Sequence, residues 1–335
     1  MKAHLIKLLF VGVGVALLIA VCREADLPLI WQNVSGIGLS GLALVMLLYT
    51  VTFGADVAAW LLAFETMPSG LRWFGRLYLI RVIGEAYNNV TPTASMGGEP
   101  LKVWLLRHNH GIAMRESGAA LVLGKTTGIA ALGLFAMAGF ALVMHSEVLA
   151  VKYKAMSAAA LAVIALFTVV FFLMQHLKLS TFVARRVGSS RLGRDLSRFI
   201  AIAEDIDSRF LRFYTEHRRR LLGSLACSVV NWLLGMVEIW LVMALLGVPV
   251  SWSDAWIIES LTQMIRVIVF FIPSAIGAQE GTLVLATTAL LGNPAAGLST
   301  ALVRRARELI WIGLGLALAA LHHVSPRTAA ADAES

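Results

Sequence analysis

Charge is what this chain is short of: 14% of its 335 residues are Asp, Glu, Lys or Arg, against about a quarter in soluble domains. With 59% hydrophobic residues and a mean hydropathy of +0.79, that scarcity excludes a soluble globule. Cysteine is nearly missing. Cys22 and Cys227 lie in or beside apolar runs without CxxC or Cys/His spacing, so neither a disulfide framework nor a metal site is expected. There is no HExxH, no GxSxG and no Walker loop, so the expectation is no enzyme and no cofactor. The net charge of +8 does not indicate nucleic acid, because the basic residues flank apolar runs in a positive-inside pattern. No A-x-A cleavage site follows the apolar run Leu5 to Val21, which therefore reads as a retained span.

Apolar stretches of 17 or more residues are present, and these read as membrane helices. Spans are expected at about 5–21, 38–64, 118–144, 155–175, 221–247 and 300–321. Lysines before the first span and the His322, His323 and Arg327 group after the last put both termini on the cytoplasmic side. Residues 176–220 hold eleven Lys/Arg and five Asp/Glu. Within them Leu192, Leu196, Phe199, Ile200, Ala203, Ile206, Phe210 and Phe213 fall on one helical stripe. Such a helix can lie on anionic inner-leaflet lipid or pack on the ends of the spans. The tail 326–335 reads as disordered.

Only eight prolines occur, and three of them sit in two breaks. The first is Asn88-Asn89-Val90-Thr91-Pro92-Thr93-Ala94-Ser95-Met96-Gly97-Gly98-Glu99-Pro100, and the second runs from Ile272 to Gly281 around Pro273, Gly277, Gln279 and Glu280. At membrane depth such backbone survives only inside protein or along a polar cavity. Basic residues on both sides of the first break indicate a re-entrant hairpin over 77–117. Fifteen helical residues rise about 22 Å, short of a ~30 Å core. A full crossing by 77–95 and 99–117 is the alternative. The second hairpin covers 255–291.

Pro92 and Pro273 stand 181 positions apart, as do Pro68 and Pro249, Glu99 and Glu280, and Gly111 and Gly292. The topology makes the two copies antiparallel, giving inverted-topology repeats at about 38–144 and 221–321 within a single transmembrane domain, 1–325. Paired broken elements are the sequence pointer to a transport site near the midplane. The expected fold is an all-α polytopic membrane protein with about six spanning helices and two re-entrant helical hairpins.

Ionisable groups inside spans are costly and face a cavity or a partner. The candidate substrate-binding set is Arg81, Glu85, Asn88, Asn89, Gly97, Gly98, Glu99, Lys125, Arg266, Gly277, Gln279, Glu280, Arg305, Arg307 and Glu308. Asp56, Glu238 and Glu259 are further intramembrane acids. Glu85 stands four residues from Arg81, where the two can pair on a helix face. Gly97-Gly98 and Gly277 precede returning helices whose free N–H groups favour an anion, and Glu99 and Glu280 lie where they can cap the same ends. Alternatively, all these charges are internal salt bridges that hold the hairpins.

Residues 81–125 and 262–310 resemble the bacterial flippase-like family of the lysylphosphatidylglycerol synthase transmembrane domain. The pattern is Asn88-Asn89-x-x-Pro92-x4-Gly97-Gly98-Glu99, then Lys102, Lys125-x-x-Gly128, Pro273-x3-Gly277-x-x-Glu280 and Arg307-Glu308. Lys125 stands where the family pattern leads one to expect arginine, and Pro100 follows the acid. Relatives fused to an aminoacyltransferase are far longer, so a single-domain member without synthase activity is expected. The resemblance implies movement of an anionic, zwitterionic or other amphipathic lipid across a bacterial inner membrane. A small-solute carrier, and a non-transporting subunit of a lipid or envelope biosynthesis system, are the alternatives. A homo-oligomer or an envelope-biosynthesis partner is compatible with either.

Overall fold

A computed structural model describes residues 27–90, 97–176, 213, 215–269, 272 and 275–321. Nine helices run through them: α1 Leu27–Leu62, α2 Leu71–Val90, α3 Gly98–His110, α4 Met114–His145, α5 Val151–His176, α6 Arg218–Leu245, α7 Trp252–Ile268, α8 Ala278–Leu291 and α9 Pro294–Leu321. No strand occurs among the described residues. Among the described residues four segments are long and apolar enough to cross a membrane: Ser35–Leu62, Met114–His145, Val151–Val170 and Arg218–Leu245. α9 has 28 residues, about 42 Å of helix, but carries Arg304, Arg305 and Arg307. The chain is an all-α multi-pass membrane protein. The expected first span, residues 91–96, the stripe from Leu192 to Phe210 and the tail lie outside the described residues.

Where helix ends differ from expectation, local backbone explains it. The second span was expected to begin at residue 38; Gly38 is instead a kink (φ 66, ψ 179) inside a longer α1, a conformation glycine adopts without a Cβ clash. The returning arm of the second break was expected from 282 but starts at Ala278, because the Glu280 carboxylate accepts the Gly277 N–H and caps the helix there. Phe213, the one stripe residue described, is fully buried with Trp60, Phe64 and Leu105. It packs on the spans and does not lie on lipid.

Helix boundaries repeat to within one residue of the proline spacing. α2 and α7 begin at Leu71 and Trp252, α3 and α8 at Gly98 and Ala278, and α4 and α9 at Met114 and Pro294. Both α3 and α8 stop on a left-handed glycine, Gly111 (φ 69) and Gly292 (φ 64), the usual αL cap. Packing follows the same correspondence. α1 lies along α6 as the most extensive pair, α2 packs on α9 and α7 on α4, and α3 packs on α4 and α8 on α9. Exchanging α1–α4 for α6–α9 reproduces this scheme, while α5 stands apart against α4 and α7.

Beside its apolar core, the protein exposes large apolar side chains and buries charged ones. Leu47, Val51, Leu134, Met137, Leu166 and Leu309 are exposed, whereas Arg81, Lys102, Glu238, Glu259, Glu280, Arg304 and Arg307 are buried. Lipid gives apolar side chains no reason to hide, so association depends on close packing and polar contacts. Close packing is visible at Gly98, where a Cβ would come within 1.8 Å of the Gly84 carbonyl, and at Gly315, where one would stand 2.7 Å from the Val82 carbonyl.

Candidate functional site

The polar residues gather into two ionic networks, one per half. In the first, α2 and α3 pass so closely at Gly84 and Gly98 that Asn88 bridges them. Its Oδ1 accepts the Gly98 N–H at 2.7 Å, and its Nδ2 donates to Glu99 at 3.2 Å and to Glu85 at 3.4 Å. Asn89 donates to the Glu85 carbonyl at 2.9 Å. Glu99 Oε1 meets Lys102 at 3.0 Å and Lys125 of α4 at 3.3 Å. Its other oxygen, Oε2, is buried with no partner among the described residues. Lys102 is fully buried, whereas half of the Lys125 side chain (51%) is open to the exterior. Arg81 pairs with Asp56 of α1 and has Trp60 beneath it. The local Arg81–Glu85 pair allowed by sequence spacing does not form; a tertiary partner replaces it.

The second network is built on α9. Arg304 reaches Glu259 of α7 at 2.7 Å, Glu238 of α6 at 3.6 Å and the Gly235 carbonyl at 3.2 Å. Arg307 pairs with Glu238 and Glu308, and its guanidinium lies 3.9 Å from the centre of the Tyr49 ring. Arg305 binds Glu280 at 2.5 Å and Glu308 at 2.7 Å. Gln263 donates to Glu259 at 2.6 Å. Gln279 is fully buried, and neither Oε1 nor Nε2 of its amide has a partner among the described residues. Arg266 is half-buried in the last turn of α7 and makes no ion pair among the described residues.

The acid opening each returning helix thus binds a base on the following long helix, Glu99 to Lys125 and Glu280 to Arg305. Capping differs. Glu280 closes its helix end, but Glu99 does not, because Asn88 already holds Gly98. Tyr49 joins the networks: Arg307, Glu85, Glu308 and Glu238 all lie within electrostatic reach of it.

The expected set therefore divides. Arg81, Glu85, Asn88, Asn89, Gly98, Glu99 and Lys125 meet in the first network. Glu280, Arg305, Arg307 and Glu308 meet in the second, with Gly277 and Gln279 at its edge. Gly97 is the N-cap residue of α3 without a side-chain role, and Arg266 joins neither. Sequence reasoning passed over Asp56, Lys102, Glu238, Glu259, Gln263 and Arg304 as site residues. Lys102 is in the family pattern but not in the expected site set, and its position three residues after Glu99 is the signal that would have placed it. At the other end of α3, His108 is exposed and stacked on Trp104, and His110 is edge-on to Trp73. Neither network borders the crevice of about 10 Å³ lined by Phe64, Glu65, Glu116 and Leu123.

Among curated proteins, the chain is 23% identical over 226 residues to a UPF0104 membrane protein of Methanothermobacter thermautotrophicus. That alignment covers 62% of this chain and 64% of the relative. No solved structure matches. The family model of the lysylphosphatidylglycerol synthase transmembrane region matches residues 4–316, and by that match the chain belongs to the lysylphosphatidylglycerol synthase transmembrane-region family, a membrane family tied by name to lipid chemistry.

Proposed function

We propose that the chain is a flippase-like lipid transporter of a bacterial inner membrane. It carries the headgroup of an anionic or zwitterionic lipid between leaflets by alternating access around two re-entrant hairpins. The observation that carries this is Lys125. It stands about 17 Å along α4, deep in an apolar helix, with half its side chain open to the exterior. A charge there is costly unless a polar group meets it. Its partner, Glu99, keeps one oxygen unpaired, so this is an ion pair a headgroup can enter and exchange. α3 and α8, at 13 and 14 residues, rise only about 20 Å each, too short to cross a ~30 Å core. The matched helix boundaries and packing support inverted repeats, in which one half rocks against the other.

The test is reconstitution into vesicles with fluorescent phospholipids of several headgroups. Wild type is expected to move label between leaflets, whereas Lys125→Ala and Glu99→Gln lose that movement with unchanged folded yield. Unaltered movement in both variants contradicts the site. A non-transporting scaffold is the second reading, favoured by the near-complete pairing of the α9 arginines. It predicts no movement for wild type with any lipid.

A further inference from the structure

Gln279 is a group the ionic networks do not use. It is the second residue of α8 and continues the buried stripe of Leu283, Ala286 and Thr287. That stripe faces α9, where a Cβ on Gly297 would come within 2.6 Å of the Leu283 carbonyl. One helical turn before Leu283, Gln279 lies on the same buried face of α8, and its sequence neighbour Glu280 pairs with Arg305 of α9. It is fully buried with both polar atoms unpartnered. Leaving a buried donor or acceptor unsatisfied costs about 1–3 kcal/mol, so an amide with two such atoms is expected to have a partner from outside the protein. The backbone just before it is unusual as well: Ala275 has φ 46 and Gly277 φ 79, and left-handed non-glycine residues collect at ligand sites.

The other half shows what this amide is not doing. Gly98 corresponds to Gln279, and Asn88 to Val269, at the 181-residue spacing. In the first half the amide sits on the outgoing arm and ties the hairpin together through Gly98 and Glu99. In the second half the amide has moved to the returning arm, and Glu280 performs the capping instead. Gln279 is therefore free of the structural task its counterpart performs.

We infer that the Gln279 amide binds an uncharged hydroxyl-bearing part of a lipid headgroup, such as a sugar or polyol, at the start of α8. The nearby arginines are occupied by carboxylates, which leaves a neutral donor–acceptor pair as the open functionality. A hydroxyl complements it, since it both donates and accepts. This builds on the translocation reading for the source of the ligand, but binding is measurable without transport.

The experiment compares thermal unfolding of the full chain in phosphatidylcholine nanodiscs containing either glucosyl-diacylglycerol or its tetrahydropyranyl counterpart, whose ring lacks hydroxyls. Wild type is expected to unfold at a higher temperature with the glucosyl lipid. Gln279→Leu and Gln279→Met should lose that difference while matching or exceeding wild-type stability in plain phosphatidylcholine. Equal wild-type midpoints with the two lipids overturn the inference, as does a difference that survives in both variants. Marked destabilisation of both variants in plain phosphatidylcholine also overturns it, because the amide then has a structural partner. Absence of label movement together with a retained hydroxyl-dependent shift contradicts the translocation reading and leaves this inference standing.

Discussion

The two ionic networks occupy matching places yet are built from different bases. The first uses two lysines and one arginine, and its edge is open at Lys125. The second uses three arginines, each held by at least one carboxylate, and none is more than 19% exposed at the side chain. A guanidinium presents five donors in a rigid fork and forms fixed, multiply bonded pairs, whereas an ammonium is a mobile point charge. Under the proposed function the difference is a division of labour, in which the α9 network clamps helices together and the Lys125–Glu99 pair exchanges partners.

The largest effect expected from breaking that comparison is at the clamp. Arg307→Ala leaves Glu238 buried beside only a distant Arg304 contact; loss of one partner of a buried pair costs about 3–5 kcal/mol. Folded, monodisperse yield after purification should collapse. Next is Gly98→Ala, whose methyl would overlap the Gly84 carbonyl. Overpacking costs about 1–3 kcal/mol, read as a lower unfolding midpoint together with impaired lipid movement. Lys125→Ala comes third on stability, since exposed ion pairs contribute about 0–1 kcal/mol, and it separates the networks by abolishing movement with little change in the midpoint. Lys125→Arg is the mildest: it restores the charge, and label movement should stay within about threefold of wild type, roughly the kinetic equivalent of 0.7 kcal/mol.

Much of this was legible in the chain because the relevant signals are local. Apolar runs located α1, α4, α5 and α6, and the recurring Pro92/Pro273, Glu99/Glu280 and Gly111/Gly292 pairs anticipated helix boundaries that repeat to within one residue of that spacing. What the chain could not show was partner choice. Arg81 has an acid four residues away, yet it pairs with Asp56 because α1 and α2 pack side by side. Lys102 reads as one more basic residue near a turn until α3 lies against Gly84 and encloses its stem. Arg304, placed by sequence at the polar start of a span, is buried because α6 and α7 both turn carboxylates toward it. Each miss is a contact between different helices and not one within a single helix.

The most direct test concerns depth. In a Cys22→Ser, Cys227→Ser background, fluorophores are placed at Gly97→Cys and Ile276→Cys, and their quenching by lipids brominated at graded acyl positions is measured. Both labels are expected to be quenched most strongly by deep bromines, toward the bilayer centre. Quenching confined to headgroup-level probes at both positions would put the breaks at the membrane surface and contradict the account.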